Sequence, residues 1–347
     1  MIRTVVAEDS ATFRQFLVEV LESDPELSVV AEAANGAEAV EQVVELAPDL
    51  VVMDINMPVL DGLEATRQIM VHSPTPILIV SASANQHQLE LSLSATQAGA
   101  LHVLPKPESP GAEGFHEQCE QLVTMAKAMA QVKVVRRWDR GRMASKQPPV
   151  RTTEPPAPVE VIAIAASTGG PAALRAILNG LPADFAAPIL VVQHISRGFV
   201  RGVAEWLDRE TRLRVKVAQD GERLAARTVY VAPDDRHLGM TDGHRVELAN
   251  APPVGGFRPS ATHLFASVAR VAGASAAGIV LTGMGSDGAE GLRALYAAGG
   301  RVIVQDMDSS VVYGMAQEAV RLGVVDRILP LDEIGPKLVD LVSVDAR

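Results

Sequence analysis

Short apolar runs alternate along this chain with longer stretches whose apolar residues recur every three or four positions. The runs read as buried strands and the stretches as amphipathic helices. In the first third, Ile2–Ala7, Leu27–Ala31, Pro48–Met53, Pro76–Val80 and Ala100–Leu104 predict strands. Helices are predicted over Ser10–Glu22, Gly36–Leu46, Gly62–Met70, about Gln86–Gly99 and about Phe115–Ala130. A second alternation starts at residue 159. Its strands are Val159–Ile164, Pro188–Val192, Thr228–Ala232, Gly278–Leu281 and Arg301–Gln305. Its helices are Ala172–Leu178, Phe199–Leu207, Leu264–Val271, Ala289–Ala298 and about Glu333–Val342. Between the two lies a stretch with a basic start, Lys133–Arg142, and five prolines within Gln147–Pro158. Such a stretch builds no core and reads as a linker, semi-extended where proline is dense. Lys133–Trp138 can continue the preceding helix. The pattern predicts an α/β protein with two doubly wound parallel-sheet domains, residues 1–132 and 159–347, joined by a linker over 133–158.

Composition narrows the function. The 347 residues suffice for two domains, and no uninterrupted apolar run is long enough to span a bilayer. The start, Met1-Ile2-Arg3-Thr4, carries no secretory signal. The single cysteine, Cys119, excludes an internal disulfide and a cysteine-only zinc site, and fits a reducing cytoplasm. Aromatic residues are 3% of the chain, too few for a surface that stacks nucleic-acid bases. Lys and Arg number 5 against 19 Asp and Glu in residues 1–132, 7 against 2 in 133–158, and 19 against 21 in 159–347. An acidic first module and a near-neutral second one argue against DNA as the partner. The basic connector either docks on the acidic module or is solvated.

In doubly wound sheets, ligands gather at the carboxyl ends of the strands. At those ends the first module places Glu8 and Asp9, then Asp54, Ser81 and Lys106. Carboxylates so grouped repel unless a cation sits among them, and a hard oxygen-ligand cation such as Mg²⁺ suits them. A lysine and a hydroxyl nearby can hold phosphoryl oxygens. Asp54 then becomes a nucleophile that forms an aspartyl phosphate. This constellation, with Met57-Pro58 and Asp61-Gly62 after the third strand and Lys106-Pro107 after the fifth, resembles the receiver domain of bacterial response regulators, a flavodoxin-like fold. The resemblance implies that Asp54 accepts phosphate from a histidine kinase. It implies Mg²⁺ held by Glu8, Asp9, Asp54 and the Asn56 carbonyl, and phosphoryl contacts from Ser81 and Lys106. Ser83 is the rival for Ser81. Two positions depart from the pattern: Pro105 directly precedes the lysine, and Val103 stands where many receivers carry an aromatic switch residue.

The second module is organised around Ala165-Ala166-Ser167-Thr168-Gly169-Gly170-Pro171. A strand leads in and a helix leads out, with Pro171 suited to its first turn. Ser167 then sits at the positive end of a helix beside unpaired N–H groups, as an acyl-transfer nucleophile requires. A phosphate-binding turn or a plain helix cap would use the same residues. His194 and Asp287 also lie just past strand ends, so the three can converge in one crevice. A serine needs a base, and a histidine oriented by a carboxylate supplies one. On spacing, His237 competes with His194, and Asp234, Asp235 and Asp306 compete with Asp287. His244 and His263 read as surface or packing residues. The chain order Ser…His…Asp differs from that of the common serine hydrolases, and there is no Gly-x-Ser-x-Gly elbow.

Residues 159–347 resemble the catalytic domain of the chemotaxis methylesterase (CheB) family. The carrying motifs are Ala166–Pro171, Gln193-His194, Leu281–Gly288 and Ser309–Met315. The resemblance implies a Rossmann-like domain with Ser167 as nucleophile, His194 as base and Asp287 as its orienter. Thr168 lies beside the nucleophile, and the Met284 N–H is implied as an oxyanion donor. The implied reaction is hydrolysis of glutamyl methyl esters on the cytoplasmic helices of chemoreceptors, with deamidation of certain glutamines. It needs no cofactor of its own, only the Mg²⁺ of the receiver, and no nucleic acid or membrane insertion. Ile195-Ser196, Thr262 and Ala316 depart from common family residues, which bears on which receptor is served and whether the output is swimming. The expected mechanism is a phosphorylation-gated serine hydrolase whose unphosphorylated receiver covers the crevice. The rivals are a non-catalytic receiver-controlled adaptor, and a receiver-controlled transcription factor, which lacks a basic recognition helix here.

Overall fold

The computed structural model describes residues 1–81, 95, 98–109, 111, 112, 114–132 and 158–342. Ser83, most of the helix expected over 86–99 and residues 133–157 of the expected linker lie outside the described residues. The chain divides into two compact units, Met1–Met143 and Ala144–Arg347.

The first unit holds five parallel strands, β1 (Ile2–Ala7), β2 (Leu27–Ala33), β3 (Leu50–Met53), β4 (Ile77–Ser81) and β5 (His102–Pro105), in the order β2-β1-β3-β4-β5. Helices α1 (Ala11–Glu22), α2 (Gly36–Leu46), α3 (Gly62–His72) and α4 (Phe115–Ala130) connect or follow them. The first three start where a side chain accepts an otherwise orphan N–H: Ser10 from Phe13, Asn35 from Glu38 and Asp61 from Glu64. In α2 the Glu38 carboxylate reaches back to the Ala34 N–H at 2.8 Å, a reciprocal cap. The central strand β3 is buried throughout, as a parallel strand covered on both faces must be. Pro105 ends β5, opposite Ser81. It is the last residue of this edge strand, and the Lys106 N–H, one residue on, donates to the Ser81 carbonyl at 3.0 Å, so the pairing closes just past the proline.

The second unit has seven parallel strands in the order β14-β13-β12-β6-β7-β9-β8. They are β6 (Val161–Ala166), β7 (Ile189–Gln193), β8 (Arg214–Val217), β9 (Thr228–Val231), β12 (Ala276–Val280), β13 (Arg301–Gln305) and β14 (Arg327–Leu329). An antiparallel hairpin, β10 (His237–Thr241) and β11 (Arg245–Ala249), stands apart from the sheet. Helices α5 (Gly170–Asn179), α6 (Val200–Glu210), α7 (Ala261–Ala272), α8 (Ala289–Ala297), α9 (Gly314–Arg321) and α10 (Leu331–Val342) complete it. The core joins the inner strands to α7, with Phe265, Leu264 and Val268 buried against Leu292 and Leu295 of α8.

The hairpin, the edge strands β8 and β14 and helix α9 go beyond the elements that the apolar runs predict. Their signals are present but weak. Arg214-Val215-Lys216-Val217 and Arg245-Val246-Glu247-Leu248 alternate polar and apolar residues, and Asp242-Gly243 is a strong hairpin-turn dipeptide. Strands of three to five residues give a period-two pattern too few repeats to stand out. Among the described residues no helix is long and apolar enough to cross a membrane.

Candidate active site

The sheet register brings Ser167 and His194 together. Ala166 of β6 pairs with Gln193 of β7, so the next residue of each strand leaves the sheet side by side. The His194 N–H donates to the Ala166 carbonyl at 2.8 Å. On the other flank β12 pairs with β6, and the Ser167 N–H donates to the Thr282 carbonyl at 3.0 Å. Gln193 staples this corner: its buried amide donates to the Ser167 carbonyl at 2.9 Å and the His194 carbonyl at 2.8 Å. It stands in the Gln193-His194 motif, and its position as the last residue of β7 is the signal for its role.

The loop from β12 to α8 passes tightly over the serine. A Cβ built on Gly283 would lie 2.7 Å from the Ser167 Cβ and 2.5 Å from the Met315 sulfur, so only glycine fits. Met284 is the next residue, which sets its backbone beside the nucleophile corner. Thr168 is fully buried; its carbonyl accepts the Thr282 hydroxyl at 2.8 Å, while its own hydroxyl has no hydrogen-bond partner. The Ser309–Met315 motif is packing for this loop: the N–H groups of Gly314 and Met315 each donate to the Gly283 carbonyl at 3.0 Å.

Asp287 ends up against His194, with Oδ2 at 3.0 Å from Nε2. The ring N–H points off the line to that oxygen, so the contact is a close electrostatic pairing rather than a straight hydrogen bond. Nδ1 is buried and without a hydrogen-bond partner. The carboxylate itself is gripped by the start of α7. Ser260 Oγ donates to Oδ1 at 2.8 Å, the Thr262 N–H to Oδ1 at 3.0 Å and the Ala261 N–H to Oδ2 at 2.7 Å. A helix N-terminus favours an anion. Burial pushes the Asp287 pKa up, but the contacts from His194, Thr262 and Ala261 outweigh it and hold the group at about 2. It therefore faces His194 as a carboxylate. Ser260 and the first turn of α7 are the part of the site that motif reading passed over; a serine directly before a helix was the available signal. Thr262 also has a local task, its hydroxyl accepting the Gly288 N–H at 2.8 Å.

The rival residues are occupied elsewhere. His237 is fully buried, with Nε2 at 3.0 Å from the Pro252 carbonyl and Nδ1 accepting the Ser260 N–H at 3.2 Å. With both ring nitrogens engaged, it orders the Asp287-binding turn rather than facing a serine. His263 stacks on it, with ring centroids 4.6 Å apart. Asp234 accepts the Gly198 N–H at 3.1 Å, Asp235 pairs with Arg197, and Asp306 caps the turn at Ser309 at 2.9 Å.

The first unit carries its own site. Lys106 Nζ donates to Asp54 Oδ2 at 2.9 Å and lies 2.7 Å from Glu8 Oε2. The ammonium also sits 4.8 Å over the Phe13 ring, a cation–π contact. Burial lowers the Lys106 pKa, but Asp54 and Glu8 more than reverse it, so the group stays charged. Burial raises the Glu8 pKa and Asp54 adds to the rise, against the pull of Lys106. Ligand oxygens of Glu8, Asp9 and Asp54 all lie within 4.8 Å of one another. That set of hard oxygens fits a divalent cation such as Mg²⁺. Asn56 is exposed two positions after Asp54. Ser81 is fully buried at the end of β4, and its hydroxyl has no hydrogen-bond partner. Val103, at the position of the expected switch residue, is buried against the β4 neighbour Ile79.

A phosphoacceptor-type carboxylate cluster on one parallel sheet, and Ser, His and Asp at the strand ends of another, define a receiver-linked hydrolase of the α/β class. Comparison with known proteins agrees. Residues 162–338 match the CheB methylesterase family and residues 4–112 the response regulator receiver domain. The chain is 50% identical to protein-glutamate methylesterase/protein-glutamine glutaminase 4 of Myxococcus xanthus, over 97% of this chain and 96% of that relative. It is also 50% identical to the enzyme numbered 3 of Anaeromyxobacter dehalogenans, over 97% of this chain and 98% of that one. The crystal structure of the Thermotoga maritima CheB methylesterase catalytic domain covers 54% of this chain, at 36% identity and a TM-score of 0.52. The chain belongs to the CheB methylesterase family and joins its catalytic domain to a response regulator receiver domain.

Proposed function

We propose that this chain hydrolyses methyl esters of glutamyl side chains on the cytoplasmic helices of chemoreceptors, releasing methanol, and deamidates glutamines there by the same route. Residues 1–132 are the receiver, 133–158 the linker and 159–347 the catalytic domain. The observation that carries the reading is the His194–Asp287 pair at 3.0 Å, set beside Ser167 by the register of β6 and β7.

The chemistry follows from that arrangement. Asp287, anionic at the start of α7, engages Nε2 and leaves Nδ1 for the serine. His194 takes the Ser167 proton as Oγ attacks the ester carbonyl. The oxyanion gathers at the Met284 N–H with Thr168 alongside. As the intermediate collapses, His194 gives the proton to the leaving methoxy oxygen and the C–O bond breaks to release methanol, or to the leaving nitrogen and the C–N bond breaks to release ammonia when the substrate is a glutamine. Water, deprotonated by His194, then cleaves the acyl-enzyme and leaves a glutamate.

In the receiver, Asp54 accepts phosphate from a histidine kinase, and this stimulates the esterase. Glu8, Asp9, Asp54 and the Asn56 carbonyl would hold Mg²⁺, which would supply positive charge to neutralise the phosphoryl oxygens. Lys106 and Ser81 contact the phosphoryl oxygens; the charged ammonium and the unpartnered buried hydroxyl support this. The protein works in the cytoplasm, where receptor helices and kinase meet it.

The test is methanol release from methylated receptor by wild type, Ser167→Ala and Asp54→Ala, with and without acetyl phosphate. An active, stimulated wild type, a dead Ser167→Ala and an unstimulated but active Asp54→Ala are expected. Full activity in Ser167→Ala would overturn the nucleophile assignment. A Ser167→Ala chain that complements a deletion strain fully would favour a non-catalytic adaptor instead.

A further inference from the structure

His194 is held at its edge by one bent contact to Asp287, and its Nδ1 has no partner. An imidazole tethered that way can rotate away from the serine. One face of the ring is nevertheless covered. Phe257 lies on it nearly parallel, with centroids 4.5 Å apart and planes 14° apart. Phe257 remains 36% exposed, so its far side and edge reach solvent.

The backbone is built to put the ring there. Val254 and Phe257 exchange both backbone hydrogen bonds, at 3.1 and 3.0 Å, closing a two-residue turn of Gly255 and Gly256. Both glycines have positive φ, +59° and +87°, the conformation that a tight primed hairpin turn needs. A Cβ on either would meet nothing within 4 Å, so glycine is required by the backbone rather than by space. Three residues later the same segment reaches Ser260, whose hydroxyl binds Asp287. One segment, residues 254–262, thus holds both the carboxylate at the edge of His194 and the ring on its face.

We propose that Phe257 is a positioning residue for His194: by stacking on the imidazole it keeps the ring turned toward Ser167, and its π face favours the imidazolium formed as the serine is deprotonated. This rests on His194 being the base. It predicts an effect on the chemical step and not on receptor binding.

The test uses the full-length protein with Phe257→Leu, Phe257→Tyr and Phe257→Trp, and two readouts. One is kcat and KM for methanol release from methylated receptor. The other is the rate at which a small phosphonofluoridate labels Ser167, which needs no receptor docking. Phe257→Leu should lower kcat and labelling together by about threefold to tenfold, as the loss of one aromatic stack allows. KM should stay within about twofold, the mark of a contact that acts in the transition state. Tyr and Trp should restore both rates, because they restore the flat face. Gly256→Ala, which strains the turn but keeps the ring, should mimic Leu. Unchanged labelling in Phe257→Leu would overturn the proposal, and so would a raised KM alone, which would make Phe257 a receptor contact. Equal losses in Leu and Tyr would also overturn it. A His194→Ala control separates the two levels. If it labels at the wild-type rate, the base assignment itself falls; if it is dead while Phe257→Leu is normal, only the stacking role falls.

Discussion

Ser260→Ala is the sharpest probe of how the site is held. Ser260 is fully buried and its hydroxyl does two things. It donates to Asp287 Oδ1 at 2.8 Å, and it accepts the His263 N–H at 3.3 Å as the cap of α7. Loss of a helix cap costs ~1 kcal/mol, and loss of a bond to a buried charged group costs about 1.5–3 kcal/mol. Asp287 keeps its two backbone donors, Ala261 and Thr262, so the two losses should not add in full. An overall destabilisation of about 2–3 kcal/mol follows, which for a unit of this size lowers the midpoint of unfolding by about 5–10 °C. The pH dependence has a definite sign. The Asp287 pKa is depressed to about 2 in the folded protein, so its stabilisation is present above the unfolded value of 3.8 and is lost as pH falls from there toward 2. Removing the Ser260 hydroxyl takes a hydrogen bond from the charged carboxylate and so raises its folded-state pKa; the acid loss still sets in near 3.8, but it is smaller and is complete at a higher pH. The assay is calorimetry of the full chain from pH 7 down to pH 3, with methanol release at pH 7. The catalytic-unit transition should shift, the receiver transition should not, and kcat should fall about three- to tenfold as the carboxylate loosens. Ser260→Thr, which keeps the hydroxyl, should recover most of both. An Ala variant with unchanged stability and unchanged kcat would refute the view that the start of α7 holds Asp287.

Other perturbations separate roles that the sequence leaves entangled. Gly283→Ala places a methyl 2.7 Å from the Ser167 Cβ and should lower methanol release about a hundredfold, while acetyl phosphate still phosphorylates Asp54. His237→Phe strands the Pro252 carbonyl and the Ser260 N–H, and should cost about 2–4 kcal/mol by denaturant titration. Its folded fraction should stay active, unlike His194→Ala, which should be dead. Val59 is a β-branched residue with φ +68° and 86% exposure in the loop after Asp54, so Val59→Asn or Val59→Gly should stabilise the receiver unit by ~1 kcal/mol. A lowered midpoint in the receiver transition would contradict that reading.

Much of the site was legible because strand ends are legible. A buried parallel strand is a continuous apolar run, and the residue that breaks it is polar because it leaves the sheet. Asp54 after Met53 and Ser167 after Ala166 announce themselves in this way, and His194 follows one residue behind, after Gln193, which ends the run of β7. Asp287 was harder, standing five residues beyond Thr282 in a glycine-rich loop whose path is not periodic. Gln193 stood in a motif beside His194, but what it holds was not readable, and the roles of Ser260 and Phe257 at the site gave no local signal of their own. They act through residues that are close only once β6, β7, β12 and the 250–262 segment are assembled.

The amino-acid pattern alone determined that two parallel α/β units follow one another, and which polar residues crown each sheet, because periodicity and strand ends are local properties. Tertiary structure decided which histidine meets which carboxylate. His194 and His237 both follow apolar runs and carry the same chemistry. One is set beside Ser167 by the pairing of β6 with β7, while the other is buried under the 252–260 turn with both nitrogens engaged. Pairing of that kind depends on strand order and on loops whose conformation is fixed by contacts far away in the chain. No reading of local spacing contains it.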